Sequence, residues 1–115
     1  MSSGVIVLGG FFVGLGIIRI LHNEKIDTVV VSDNRNDYVK YSKYCNNFFY
    51  SENNKLNTLL LSKDFINRFK NWIIMPTQDY FVALVLDNFE ELNKHFKIEY
   101  YSPNNINIFF DKRNT

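Results

Sequence analysis

The chain has few of the residues that mark specialised classes of protein. Among its 115 residues there are one cysteine, two prolines and two histidines. A single cysteine, Cys45, excludes an internal disulfide and favours a reducing, cytoplasmic compartment. The net charge of +1 provides no bulk attraction to nucleic acid or to an anionic membrane surface, so we expect neither as a partner.

Long apolar runs are absent as well. The uncharged stretch near the start, residues 5–18, is too short for a transmembrane helix, which needs about 20 apolar residues. No basic residue precedes this stretch, whereas a signal peptide has a positively charged start. We therefore expect the stretch to be a buried strand, a loop and a buried helix.

The common catalytic and metal-binding motifs are also missing. The last glycine of the early loop, Gly16, is followed by Ile17 and Ile18, whereas a phosphate-binding P-loop has a lysine there. His22 and His95 stand apart from the spacings that zinc sites use. These absences predict no metal ion and no nucleotide bound by a P-loop.

What the chain does have is an alternation of short apolar runs with longer amphipathic segments. With 46% hydrophobic and 22% charged residues it has the composition of a globular domain. The alternation predicts an α/β fold with a mostly parallel sheet of four to five strands. The predicted strands are 5–9, 28–33, 48–50, 72–76 and 97–101, and the predicted helices are 14–25, part of 38–45, 55–71, 78–96 with a break near Asp87–Asn88, and 102–112.

Three loops follow predicted parallel strands and so should meet at one edge of the sheet. They are residues 9–14, 32–35 and 76–79. Ligands of parallel α/β sheets bind outside the carboxyl ends of the strands. The sequence therefore predicts a site at this edge, provided that the sheet is not mixed.

The first of these loops lies in the stretch LGGFFVGLG, residues 8–16. Its glycines allow positive φ and a close approach of the backbone to a ligand, and the helix that follows offers free N–H groups to an anion. The spacing differs from the dinucleotide fingerprint G-x-G-x-x-G, although Asp33 stands at the end of the second strand, where a ribose-binding acid would lie. Three interpretations stay open: a tight turn alone, an anionic ligand, or a dinucleotide.

Two further features have both a structural and a functional interpretation. Thr77, Gln78 and Asp79 follow the fourth strand, where they could bind a ligand or simply cap the next helix. Arg19 interrupts an apolar helix, where it could pair with a buried acid or reach across a domain interface.

The order of these segments resembles a known family. VIVLGGFFVGLGIIRIL, VVVSD, YSKYC, WIIMPTQDYFVAL and YSPNNINIFFDK together resemble the N-terminal, pre-ATP-grasp domain of ATP-grasp ligases. The most similar kinds are the carboxylate–amine ligases and carbamoyl-phosphate-synthase-like proteins. The resemblance covers nearly the whole chain and implies a Rossmann-like three-layer sandwich.

The resemblance also implies a reaction and assigns the binding of ATP and of the substrate to different domains. ATP would phosphorylate a small carboxylate substrate to an acylphosphate, which an amine or similar nucleophile would attack. ATP and Mg²⁺ would be held by the remaining ATP-grasp domains, so residues 1–112 would form the pre-ATP-grasp domain, with 113–115 opening the link to those domains. The domain by itself is expected to bind no cofactor and to have no ligase activity, and a homodimer stays open.

By the same resemblance, the substrate would be bound by residues of two loops and by two further residues whose match to the family is weaker. They are Gly9, Gly10, Phe11, Phe12 and Gly14, then Thr77, Gln78 and Asp79, with Arg19 and Asp33 matching less well. Phe11 and Phe12 depart from the glycine or polar residue of many relatives, so contacts from the backbone are expected there. The alternative from another class is a stand-alone regulatory module that binds a dinucleotide or another small ligand through Asp33.

Overall fold

A computed structural model describes residues 4–52 and 55–98. The chain alternates between strands and helices in the order that the sequence predicts. The elements are β1 (Val5–Leu8), α1 (Phe11–Asn23), β2 (Thr28–Ser32), a 3₁₀ helix (Tyr38–Tyr41), β3 (Phe48–Tyr50), α2 (Leu56–Leu60), α3 (Lys63–Phe69), β4 (Ile73–Pro76), α4 (Asp79–Asp87), α5 (Phe89–Asn93) and β5 (Lys97–Ile98).

The five strands form one sheet in the order β3-β2-β1-β4-β5. Every strand pair in the described residues is parallel, and Val7 of β1 is aligned with Val30 of β2 on one side and Met75 of β4 on the other. The chain moves outward from β1 to β3 and then crosses back to β4 on the other side of β1. This reversal between β1 and β4 is a topological switch point, where α/β sheets bind their ligands.

The sheet is covered on both faces, which confirms the predicted α/β sandwich. Because alternate residues of a strand point to opposite faces, Val5 and Val7 face α1, whereas Ile6 and Leu8 face the helices α2–α5. All residues of β1 and β2 are buried, as expected for central strands of a parallel sheet.

Two predicted helices have different bounds in the structure. The prediction that α1 starts at Gly14 is wrong: α1 starts at Phe11 and contains both Gly14 and Gly16. The predicted helix 55–71 is two helices, α2 and α3, because the Ser62 hydroxyl accepts a hydrogen bond from the Phe65 N–H and so caps α3. The predicted break near Asp87–Asn88 is confirmed, since α4 ends at Asp87 and α5 begins at Phe89.

The end of the chain is described only in part. Strand β5 is predicted over 97–101 and is present at Lys97–Ile98, and the predicted helix 102–112 lies outside the described residues. Within the ranges that are described, no helix has both the length and the apolar character needed to cross a membrane.

Candidate functional site

The site that the sequence predicts at the carboxyl edge is centred on the turn between β1 and α1. Gly9 is buried and has a φ of +102°, a conformation that residues with a side chain rarely adopt. A Cβ atom at Gly9 would overlap the Thr77 hydroxyl and would lie 2.7 Å from a ring carbon of Phe81. Gly9 is therefore required by the turn itself and by the close approach of the loop after β4.

Gly10 is required for a different reason, because it lies against a buried carboxylate. A Cβ atom there would overlap the carboxyl group of Asp37, whose side chain is fully buried. Asp37 accepts hydrogen bonds from the Ser32 hydroxyl at 2.9 Å and from the Val39 N–H at 3.1 Å. The turn thus has an acidic group of the protein packed directly beside the start of α1.

Only two glycines separate β1 from α1, so the predicted loop 9–14 is shorter than expected. Phe11 and Phe12 occupy the first two positions of the helix, and the Gly14 N–H donates to the Gly10 carbonyl at 2.9 Å. A Cβ atom on Gly14 would lie 2.8 Å from the Gly9 carbonyl oxygen. Gly14 therefore lets the first turn of α1 pack against the glycine turn.

The loop after β4 lies directly against this turn. The Thr77 N–H and the Thr77 hydroxyl both donate to the Leu8 carbonyl, at 3.1 and 3.0 Å. Gln78 is the residue preceding α4, but its side chain makes no capping hydrogen bond, while Asp79 is exposed in the first turn. The Thr77 hydroxyl is thus used to join β4 to β1, which leaves the Gln78 and Asp79 side chains for other contacts.

Asp33 and Tyr80 follow β2 and β4, the two strands that flank β1. Asp33 follows β2 and is half-buried, and Tyr80 lies in the first turn of α4. Desolvation raises the pKa of the Tyr80 phenol, and the negative charge of Asp33 raises this pKa further.

Arg19 is the predicted site residue that lies apart from the others. It is exposed and lies in the third turn of α1, away from the carboxyl edge at which α1 begins. Pairing with a buried acid, one of its two predicted roles, does not fit this exposure. The remaining nine residues belong to the glycine turn with the start of α1, to the end of β2, or to the loop after β4.

Asp37 was missed by the sequence analysis. It stands in the polar run SDNRND, which has the character of a solvated loop. The available signal was local: an aspartate two residues before Val39 can accept a hydrogen bond from the Val39 N–H and so begin a short helix, as it does here.

Two further features bear on a site in the described residues: grouped metal ligands and cavities. Among residues 4–52 and 55–98, no three His, Cys, Asp or Glu side chains are grouped closely enough to hold a metal ion. A cavity of about 290 Å³ runs along α4 from Tyr80 to Asn88, next to Asn57 of α2. A larger and open one, of about 560 Å³, lies at the opposite edge, between the end of α1 and the start of β2.

The chain was also compared with known proteins. No family model matches it, and a search of curated proteins found no match.

Proposed function

We propose that this chain is the substrate-side domain of an ATP-grasp ligase. In this proposal the glycine turn and the loop after β4 form one wall of a cleft for a small carboxylate substrate. ATP and Mg²⁺ are held by ATP-grasp domains that face this wall, and an amine or similar nucleophile attacks the acylphosphate. The proposed enzyme is cytoplasmic, in keeping with the single cysteine.

One observation carries the proposal: the switch point of the sheet brings together the two loops that the family resemblance selects. Gly9 and Thr77 are far apart in sequence, yet a Cβ atom on Gly9 would overlap the Thr77 hydroxyl. The same contact would arise in any Rossmann-like domain with this strand order. It therefore supports a ligand at this edge, and the order of motifs in the sequence supports the ligase in particular.

The surroundings of the glycine turn favour contact with the carboxylate substrate over binding of the nucleotide phosphates. A phosphate at the start of a helix is stabilised by free N–H groups and by the helix dipole. Here the Asp37 carboxylate already lies beside Gly10 at the start of α1, where it would repel the charge of a phosphate group, about −2, more strongly than the single charge of a carboxylate. We infer that nucleotide phosphates are bound by other domains of the proposed enzyme.

The ligase proposal is tested by a functional assay and a binding measurement. The coding sequence downstream of Thr115 is read, and the protein that it encodes together with this chain is assayed for carboxylate-dependent release of phosphate from ATP. We expect such release, and we expect calorimetry of the 115-residue chain alone to detect no binding of Mg-ATP. Tight binding of Mg-ATP by the chain alone would contradict the proposal, as would a downstream sequence without ATP-grasp lysines and acidic metal ligands.

A dinucleotide-binding module is the second candidate, and the position of Asp33 favours it. Asp33 directly follows β2, at the place where a Rossmann-like domain binds the hydroxyls of a ribose. Titration with NADH, followed by its fluorescence, separates the two functions. Saturable binding that is lost in Asp33→Ala would favour the module, whereas no binding by the unaltered chain would eliminate it.

A further inference from the structure

The segment from Asp33 to Lys40, which comprises the loop after β2 and part of the 3₁₀ helix, has its acidic and basic side chains in different surroundings. Asp37 is turned into the protein, against Gly10, and its carboxylate bonds to Ser32 and Val39. Asp33, which directly follows β2, is half-buried. The basic side chains of this segment, Arg35 and Lys40, instead lie over β3.

Both basic side chains lie over aromatic rings, and one ring of each set belongs to β3. The guanidinium carbon of Arg35 lies 4.9 Å from the ring centre of Tyr50. The ammonium of Lys40 lies 5.2 Å from the ring centre of Tyr41 and 5.9 Å from that of Phe48. Phe48 and Tyr50 are alternate residues of one strand, so they share a face of the sheet. The ammonium of Lys40 also donates a hydrogen bond to the Arg35 carbonyl at 2.7 Å, which joins the two residues directly.

Neither cation has an acidic partner within residues 4–52 and 55–98. The nearby Glu52 carboxylate is 3.8 Å from the ammonium of Lys55, and Asp37 is occupied inside the protein. Arg35 is exposed and Lys40 is half-buried. Arg35 and Lys40 are like charges on one side of a short strand, so an anion near this side would be attracted by both.

We propose that Arg35 and Lys40 form an oxyanion-binding site at the carboxyl edge of β2 and β3, which takes a carboxylate or phosphate group of a small molecule. The Arg35 guanidinium lies within cation–π distance of the Tyr50 ring, and because the side chain is exposed its N–H groups are accessible to a ligand. Those groups match two oxygens of a carboxylate or phosphate, while Lys40 adds a compact charge. The site lies one strand away from the switch point and does not depend on the ligase proposal.

The test is a titration followed by ¹H–¹⁵N NMR, with succinate in one series and inorganic phosphate in another, at low ionic strength. We expect saturable shifts of the Arg35 side-chain N–H and of the amides of residues 33–40. Arg35→Ala and Lys40→Ala should each weaken binding about tenfold or more, because each removes a charge-assisted hydrogen bond. The series that saturates identifies the group, carboxylate or phosphate, that the site takes.

Arg68→Ala is the matched control. The guanidinium carbon of Arg68 also lies over aromatic rings, 5.3 Å from the ring centre of Phe49 and 5.1 Å from the ring centre of Phe69. Phe49, however, points to the face of the sheet opposite to that of Phe48 and Tyr50. This variant loses the same charge and should bind the anion with unchanged affinity. The proposal is overturned if neither anion gives saturable shifts, or if Arg68→Ala weakens binding as much as Arg35→Ala.

A second variant covers the case in which Arg35→Ala disturbs the loop. Tyr50→Leu keeps both cations and removes only the ring over which the Arg35 guanidinium lies. It should weaken anion binding while leaving the remaining amide resonances in place. Unchanged affinity in Tyr50→Leu, together with a disturbed spectrum for Arg35→Ala, would also overturn the proposal.

Discussion

The two faces of the sheet differ in how they are packed. In the described residues, the face covered by α2–α5 contains a cluster of fifteen buried residues, and the face covered by α1 contains five. We refer to them as the thick face and the thin face. The thick face is rich in rings: Phe65 lies 4.7 Å from Phe69, and Phe69 lies 4.9 Å from Trp72, between ring centres. Among the residues whose burial the structure describes, those buried on the thin face are four valines and one isoleucine.

The difference shows how packing and site formation are divided within one small domain. The thin face has Gly14 and Gly16 in its helix, and the buried carboxylate of Asp37 at its edge. These features shape the glycine turn but bury little apolar surface. Because apolar burial is the main stabilising term in folding, we expect the thick face to contribute most of the stability.

The largest predicted effect is that of Phe65→Ala, which removes a ring from the centre of the thick face. Phe65 is 2% exposed and packs against Phe49, Phe69 and Phe96. We expect a loss of about 4 kcal/mol in the free energy of unfolding, measured by urea denaturation. Ile18→Ala, on the thin face, should cost about 2 kcal/mol, because the half-buried residues around Ile18 can close part of the cavity.

Leu60→Ala separates the effect of the face from that of ring size. Leu60 and Ile18 have side chains of similar volume and are both fully buried, on opposite faces. The loss for Leu60→Ala should exceed that for Ile18→Ala by about 1 kcal/mol or more. Equal losses for Leu60→Ala and Ile18→Ala would mean that the two faces are equally rigid, contrary to the comparison.

The next effect concerns the turn that joins the two faces. Gly9→Ala should cost about 3 kcal/mol of unfolding free energy, since it combines a φ of +102° with overlap onto Thr77 and Phe81. Gly16→Ala is the matched control within α1. A Cβ atom there meets nothing within 4 Å, so this change should stabilise the protein by up to about 1 kcal/mol. Destabilisation by Gly16→Ala would show that α1 is packed more closely than this comparison implies.

The sequence predicts the architecture well because the signals for it are local. Runs such as residues 5–8 and 28–31 are buried on both sides and therefore apolar throughout, which identifies central strands. A parallel sheet then requires the loops after β1, β2 and β4 to lie at one edge, and the observed pairing confirms this. Thus the predicted site loops follow from strand order.

The remaining features of the site depend on contacts between distant segments, which a local pattern does not record. Gly14 and Gly16 suggest a loop, yet α1 includes them because Gly14 packs against the Gly9 carbonyl. Likewise, Asp37 is polar in sequence but is buried by its contact with Gly10, and Arg35 is placed by a ring of β3.

A smaller effect is expected where α1 ends, at the amino edge of the thin face. Lys25 has a φ of 62°, and the Ile26 N–H donates to the Leu21 carbonyl, which together form the C-terminal motif in which glycine is preferred. Lys25→Gly should raise the free energy of unfolding by about 0.5–1 kcal/mol, measured by urea denaturation. Asn71→Gly is the control, because Asn71 also has positive φ, 69°, and asparagine tolerates this conformation. An equal rise in the free energy of unfolding for Asn71→Gly would mean that glycine stabilises any position with positive φ, and not this helix end in particular.

The smallest expected effect uses Cys45 as a reporter of how readily solvent reaches the thin face. Partial burial raises the pKa of the Cys45 thiol, and the negative charge of Asp37 raises this pKa further, so less thiolate is present at a given pH than in a free cysteine. We expect Cys45 to react with iodoacetamide severalfold more slowly than a cysteine peptide at pH 8, and faster as the pH rises.

The comparison is Val85→Cys in a Cys45→Ala background, since Val85 is fully buried on the thick face. The thiol at position 85 should react with iodoacetamide only when the protein unfolds, so its reaction rate should fall towards zero as the fold is stabilised. Cys45 should still react in the native state. If Cys45 were as unreactive as the thiol at position 85, the thin face would be as closed to solvent as the thick one.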